Sequence, residues 1–288
     1  MTASHNDSGS QKKVWFITGA GRGMGADFAK AVLSAGHALV ATGRDPGRLA
    51  EQLGPSNDLL AVKLDVTRPE DAAAAVKAAV ERFGRIDVLV NNAATFEAGF
   101  FEEMTAAQFE RQLAANLFGQ LNVTRAVLPV MRKQRAGHVI TISSTAGLAS
   151  SAEFTSAYAA SKFAVEGWME ALRVEIAPFG VHTTVVNPGF FRTELLSEQS
   201  TNYAEPSIRD YAERGAALRA AWKSMHRQQA GDPAKLAQAL LIIAAQESPP
   251  RRFLAGADAI ATAEQKIADL RMDIESNRQL SGSLAFDS

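Results

Sequence analysis

The amino-acid sequence predicts a doubly wound α/β fold built on a parallel sheet of about seven strands, in a single domain. Three observations carry this expectation: short continuous apolar runs alternate with amphipathic helical segments, and most of the runs end in Gly, Asn, Ser or Pro. The third is size. The chain has 288 residues, 47% hydrophobic and 21% charged, enough for one large buried core.

Val14 to Thr18 reads as a strand buried on both faces, running into Gly19-Ala-Gly21-Arg22-Gly23-Met24-Gly25 and a helix stopped by Gly36. Glycines there let the backbone turn sharply and let a pyrophosphate approach the N–H groups of a helix N-terminus, where the helix dipole favours negative charge. Gly19, Gly21, Gly23, Met24 and Gly25 are therefore candidate cofactor contacts. Ala38 to Gly43 is a second strand, ending at Arg44. An acid at this edge suits a ribose hydroxyl, whereas arginine suits a 2′-phosphate through paired hydrogen bonds. No carboxylate stands at Gly43, and Arg22 offers a second cation, so the expected cofactor is NADP.

Leu59 to Leu64 is the third strand, closed by Asp65 and Val66, and residues 69–83 form a helix begun by Pro69. Ile86 to Val90 is the fourth, ending in Asn91-Asn92-Ala93-Ala94, where the amides either hold the turn or face a cofactor. A helical segment over about 105–133 places Asn116 among apolar neighbours, as a structural bridge or as part of a proton path. Val139 to Ile142 is the fifth strand and presents Ser143, Ser144 and Thr145 at its C-terminal end.

A helix beginning near Ser156 sets the phenol of Tyr158 beside the ammonium of Lys162, because residues four apart share a face. A free tyrosine, with a pKa near ~10, is a poor acid–base catalyst at neutral pH, and a nearby cation favours its ionised form. Val181 to Val186 is the sixth strand, followed by Pro188, Gly189, Phe190 and Thr193. Residues about 190–230 read as a helical lid, with Leu218, Trp222 and Met225 closing an apolar pocket together with Phe96, Phe154 and Phe190. Asp232 caps a helix to about Gln246, Phe253-Leu254 is a short last strand, and residues 258–279 form a final helix. Its stripe of Ile260, Ile267, Leu270 and Ile274 suits docking on the body or on a second subunit.

A net charge of −1 gives no electrostatic reason to expect nucleic acid or an anionic membrane as partner. Cysteine is absent, which excludes disulfides, zinc–thiolate sites and a cysteine nucleophile. His5, His37, His138, His182 and His226 lack metal-ligand spacing, so no metal site is expected. Residues 1–12 read as a disordered polar tail without a secretory apolar region, and no later run approaches the ~18 apolar residues of a membrane helix. The expected location is cytoplasmic.

Together these motifs resemble the classical short-chain dehydrogenase/reductase family over residues 14–195. The glycine turn is Thr18 to Gly25, the strand-three acid Asp65, the asparagine turn Asn91 to Ala94, the helix asparagine Asn116, the serine Ser144, the tyrosine–lysine pair Tyr158 and Lys162, and the Pro-Gly…Thr loop Pro188, Gly189 and Thr193. The resemblance implies a Rossmann sheet and hydride exchange between a nicotinamide and a carbonyl or secondary alcohol of a largely apolar small molecule. In it Asn116, Ser144, Tyr158 and Lys162 are catalytic, Lys162 lowers the tyrosine's pKa, Asp65 and Val66 meet the adenine, and Thr193 meets the carboxamide. Asn92, Ala93, Tyr158 and Lys162 complete the cofactor contacts. The Ser144 to Tyr158 spacing is one residue longer than usual, so Ser143 or Thr145 competes for the serine's place. Ala94 replaces a glycine. The segment 249–256 lacks the Asp-Gly-Gly of many tetrameric members and is more similar to the retinol- and hydroxysteroid-dehydrogenase-like branch, which leaves a homodimer as the expected assembly. A non-catalytic NADP-binding regulator on the same fold is the alternative. An extended-type sugar-nucleotide epimerase would need glycine at Arg22.

Overall fold

Alternate residues of the first strand enter different cores. In β1 (Val14–Ile17), Val14 and Phe16 join an apolar cluster on one side of the sheet, and Trp15 and Ile17 join a second cluster on the other. That two-sided burial is why the strand shows no polar alternation. The computed structural model describes residues 12–150, 152–197, 200–225 and 227–286. The tail expected over residues 1–12 falls, except for Lys12, outside the described residues, as do His5 and His226.

The main sheet has seven parallel strands in the order β3-β2-β1-β4-β6-β7-β9. They are β1, β2 (Ala38–Gly43), β3 (Leu59–Lys63), β4 (Val88–Asn91), β6 (Gly137–Ile142), β7 (Val181–Pro188) and β9 (Arg252–Ala255). Helices α1 (Gly23–Ser34) and α8 (Pro233–Ala245) pack on one face, where Phe28, Val32, Leu236 and Leu240 are buried. On the other face α3 (Pro69–Phe83), α5 (Gly119–Gln134) and α6 (Ser156–Ile176) bury Val76, Val123, Val127, Val165 and Met169. Strand order reverses between β1 and β4, which opens a crevice at their C-terminal ends.

Three features depart from the sequence reading. A short helix, α2 (Pro46–Leu53), begins where Asp45 accepts from the Arg48 N–H at 3.0 Å. The segment 105–133 is not one regular helix: α4 (Ala106–Leu113) passes through a π-turn at Ala114–Phe118 into α5. Part of the expected lid is a strand, β8 (Thr201–Tyr203), paired in parallel with β5 (Phe96–Ala98), ahead of helix α7 (Ala212–Ser224). The last helix, α9 (Ala257–Gly282), leaves the body after its first three turns.

Candidate active site

β6 ends at Ile142 and is followed at the crevice by Ser143 and Ser144, and α6 delivers Tyr158 and Lys162 to the same place. Tyr158 is hydrogen-bonded to Ser144. The structure thus brings Ser144, rather than Ser143 or Thr145, to the phenol. Ser143 is buried with its Oγ turned toward Gly147, where an added Cβ would lie only 2.8 Å from it. Thr145 opens a short 3-10 turn.

Lys162 is almost wholly buried and donates to the Ile142 carbonyl at 2.9 Å, with its ammonium 5.5 Å from the Tyr158 ring centroid. Desolvation lowers its pKa to about 8, against a raising effect from Glu166. The expectation that the lysine pulls the tyrosine downward is corrected by this arrangement. Burial pushes Tyr158 up to about 12 and the Ser144 hydrogen bond offsets only part of that, while the amine is engaged by the strand carbonyl. Asn116, on the π-turn, clamps Thr95 through both backbone groups, at 2.8 Å and 3.1 Å, and donates to Ser161 at 3.3 Å. Its side chain thus joins the Thr95 turn to α6. Phe96 meets the Tyr158 ring edge-on at 5.1 Å, inside a cluster with Phe100, Phe154, Leu196, Leu218, Trp222 and Met225. Phe190, expected in that cluster, is instead 47% exposed.

On the other side of the crevice the glycine turn meets the β4 turn. Thr18 Oγ1 accepts from the Asn92 and Ala93 N–H groups at 2.9 Å and 3.0 Å, and Asn92 donates to the Thr18 and Gly19 carbonyls. A Cβ on Gly25 would stand 2.2 Å from the Gly19 oxygen, so only glycine lets α1 start this close to β1. Gly19 and Gly23 have φ of +65° and +53°. The N-terminus of α1 has no side-chain cap and no acidic residue in its first turn. Uncapped N–H groups at the positive end of a helix dipole fit the pyrophosphate of a dinucleotide, and the Lys162 ammonium retains donors for ribose hydroxyls.

Thr193 lies against Gly23, 3.7 Å from where that residue's Cβ would stand. Gly189 donates to the Ala255 carbonyl at 3.0 Å, and Pro188 pairs with Ala255 in the sheet. Met24 packs against the α1–α8 core, and Gly21 lies beside Leu49. The Val66 carbonyl accepts from Asn122 at 3.1 Å. Asp65, held down by hydrogen bonds from Thr67 and by the nearby Arg44 and Arg68, stands past the end of β3 beside the exposed Arg44. Arg22 donates one N–H to Ser200 at 2.8 Å.

The family model for short chain dehydrogenase matches residues 13–204. The chain belongs to the short-chain dehydrogenase family. Oxidoreductase BOA17 of Botryotinia fuckeliana is 36% identical over 273 residues, covering 93% of this chain and 98% of that one. A 3-ketodihydrosphingosine reductase of Bacteroides thetaiotaomicron is 35% identical over 248 residues, covering 85% and 88%. The crystal structure of a short-chain dehydrogenase from Streptomyces avermitilis superposes with a TM-score of 0.86 at 35% identity, covering 96% of this chain and 100% of that one.

This dehydrogenase also holds a network that sequence reasoning missed. Asn187, at the end of β7, donates to the Ser144 carbonyl at 2.9 Å and to Glu166 at 2.6 Å. Arg252 of β9 donates to Glu166 at 2.5 Å and to Asn187 at 3.0 Å. Asp258, at the start of α9, accepts from the Phe190 N–H at 2.7 Å and fills the space left by Gly189, where a Cβ would clash at 2.1 Å. Glu166 had a readable signal, being four residues beyond Lys162. Arg252 and Asp258 had none, since only the β7–β9 pairing brings them near.

Proposed function

We propose that the protein is an NADP(H)-dependent oxidoreductase that exchanges hydride with a carbonyl or secondary alcohol of a largely apolar small molecule. The observation that carries the reading is the Tyr158 hydroxyl bonded to Ser144, one helical turn from a buried Lys162 and across the crevice from an uncapped glycine turn. When bound, the nicotinamide supplies or accepts the hydride.

This chain's residues manage the proton and the charge. With its pKa near 12, Tyr158 is protonated at neutral pH and donates to the substrate oxygen during reduction. Ser144 orients that oxygen where negative charge develops. Lys162, with a pKa of about 8, remains cationic at neutral pH and stabilises the tyrosinate left behind. Asn116 holds the Thr95 turn against α6. Preference for the 2′-phosphate rests on Arg44 and on Asp45, whose carboxylate caps α2 and is thereby withdrawn from a ribose hydroxyl. The aromatic cluster on Tyr158 supports an apolar substrate, and one relative's name specifies reduction of a keto compound. Absence of cysteine and a near-neutral charge agree with a cytoplasmic enzyme.

The test is a ketone, aldehyde and alcohol panel followed at the nicotinamide absorbance with NADPH and NADH. Turnover with NADPH is expected, and Tyr158→Phe is expected to lose roughly 10²- to 10⁴-fold in kcat with NADPH binding retained. Full activity in the variant would overturn the assignment. Tight NADPH binding by the wild type without any turnover would return the protein to the binding-regulator reading.

A further inference from the structure

Helix α9 is longer than its support. Ala259 is buried and Thr262, Ala263, Lys266 and Asp269 are half-buried, whereas every described residue from Leu270 to Phe286 is exposed. The part of α9 beyond Asp269 therefore extends about 20 Å into solvent at 1.5 Å per residue. A projecting helix of this length is marginal in water by itself.

Its apolar residues are not scattered. Ile260, Ile267 and Ile274 recur every seven residues, with Ala263 and Leu270 three residues after the first two, and the isoleucines and Leu270 are 47–54% exposed. Apart from half-buried Ala263, this stripe lies about a quarter turn around the helix from the side that touches the body, so docking on the body leaves its three isoleucines and Leu270 uncovered. A 3-4 spacing is the seam of a two-helix coiled coil.

We propose that α9 packs against α9 of a second copy of this chain, antiparallel, about a two-fold axis passing between Ala268 and Asp269. The flanking charges select both the direction and the register. With Ile267 opposite the partner's Leu270 and Ala263 opposite the partner's Ile274, Glu264 faces the partner's Arg271 and Lys266 faces the partner's Asp273. Symmetry repeats each pair, so these four flanking contacts all join opposite charges. Sliding by one heptad in one direction sets Arg271 and Asp273 each against its own copy, and in the other direction does the same to Glu264 and Lys266. A parallel pair would oppose Lys266 to the partner's Arg271 and would bring two bodies together at the same end of helices only 8–10 Å apart. Among the described residues, none of these four side chains has an ion-pair partner within its own chain. A membrane surface fits less well, because α9 carries five acidic and three basic side chains.

The experiment is light scattering and sedimentation on the full chain, whose monomer mass is 30.7 kDa. A dimer is expected. Glu264→Arg and Arg271→Glu are each expected to weaken it roughly tenfold or more, and the double exchange to restore it. Because the protein has no cysteine, a nitroxide on Gln279→Cys reports direction. Antiparallel helices place the two labels about 30 Å apart and parallel ones about 10 Å. A monomer at all concentrations, an oligomer indifferent to the charge exchanges, a short label distance, or a monomer that binds anionic phosphatidylserine vesicles through this helix would each overturn the proposal.

Discussion

Glu166 sits one turn beyond Lys162 on α6 and is nearly buried, touching Asn187 and Arg252. Its charge reaches the lysine through space and favours the ammonium, while Asn187 carries its position to the Ser144 backbone. Glu166 is thus a positioning residue with an electrostatic signature. In the proposed reduction, Lys162 must be cationic, so the rate is expected to be level below about pH 8 and to fall above it as the charge is lost. Glu166→Gln keeps a hydrogen-bonding group beside Asn187 but removes the charge that raises the lysine's pKa. The falling limb is expected to move to lower pH, with kcat at pH 7 reduced roughly tenfold and KM little changed. An unmoved limb would show that Glu166 acts through packing alone.

Among the elements, β6 hides a second titration. His138 is buried there, and its Nε2 lies 2.8 Å from Thr184 Oγ1, whose own hydrogen goes to the Pro250 carbonyl at 2.6 Å. Nε2 therefore carries a proton and donates it to Thr184. Burial, His182 and Lys13 depress its pKa to about 3, from 6.5. The unfolded chain takes up a proton near pH 6.5 that the folded chain refuses, so stability is whole above that value and is lost as pH falls toward 3. The slope expected from this residue approaches about 1.4 kcal/mol per pH unit. Urea unfolding between pH 4 and 7 checks it: His138→Gln should flatten the dependence, and an unchanged slope would assign it elsewhere. The strand itself was legible because its apolar run is continuous, as were the other six of the main sheet. β5 and β8 were not, since three residues show no period, and buried Glu97, paired with Arg111 at 3.2 Å, masks the core side of β5. The π-turn at Asn116 widens a helix without altering the side-chain pattern that marks one. The Tyr158–Lys162 spacing disclosed the site, but the dry surroundings that push the phenol upward come from Phe96 and other distant chain segments.

Across the whole molecule, the two-faced sheet is the rigid part, and α7 is held to it by few contacts. No residue of α7 is buried, and its attachments include the aromatic cluster, the Arg214–Glu153 ion pair at 3.2 Å and Arg219, which donates to the Ala204 carbonyl at 2.7 Å. Just before it, the Ser207 and Ile208 N–H groups donate to Glu103 at 2.8 Å and 3.0 Å, and Arg22 ties Ser200 to the glycine turn. By contrast α6 buries Val165, Met169 and Leu172 in the core. Elements with little buried apolar area open at lower free energy than the core. Amides of α7 are accordingly expected to exchange with solvent at least about tenfold faster than those of α6 in the ligand-free protein. Trp222→Ala removes the indole that packs on Phe96 at 5.6 Å and is expected to accelerate α7 further while leaving α6 unchanged. Exchange of α6 and α7 at one common rate would show instead that this segment opens only when the whole molecule unfolds, and the cover over Tyr158 would then be part of the core.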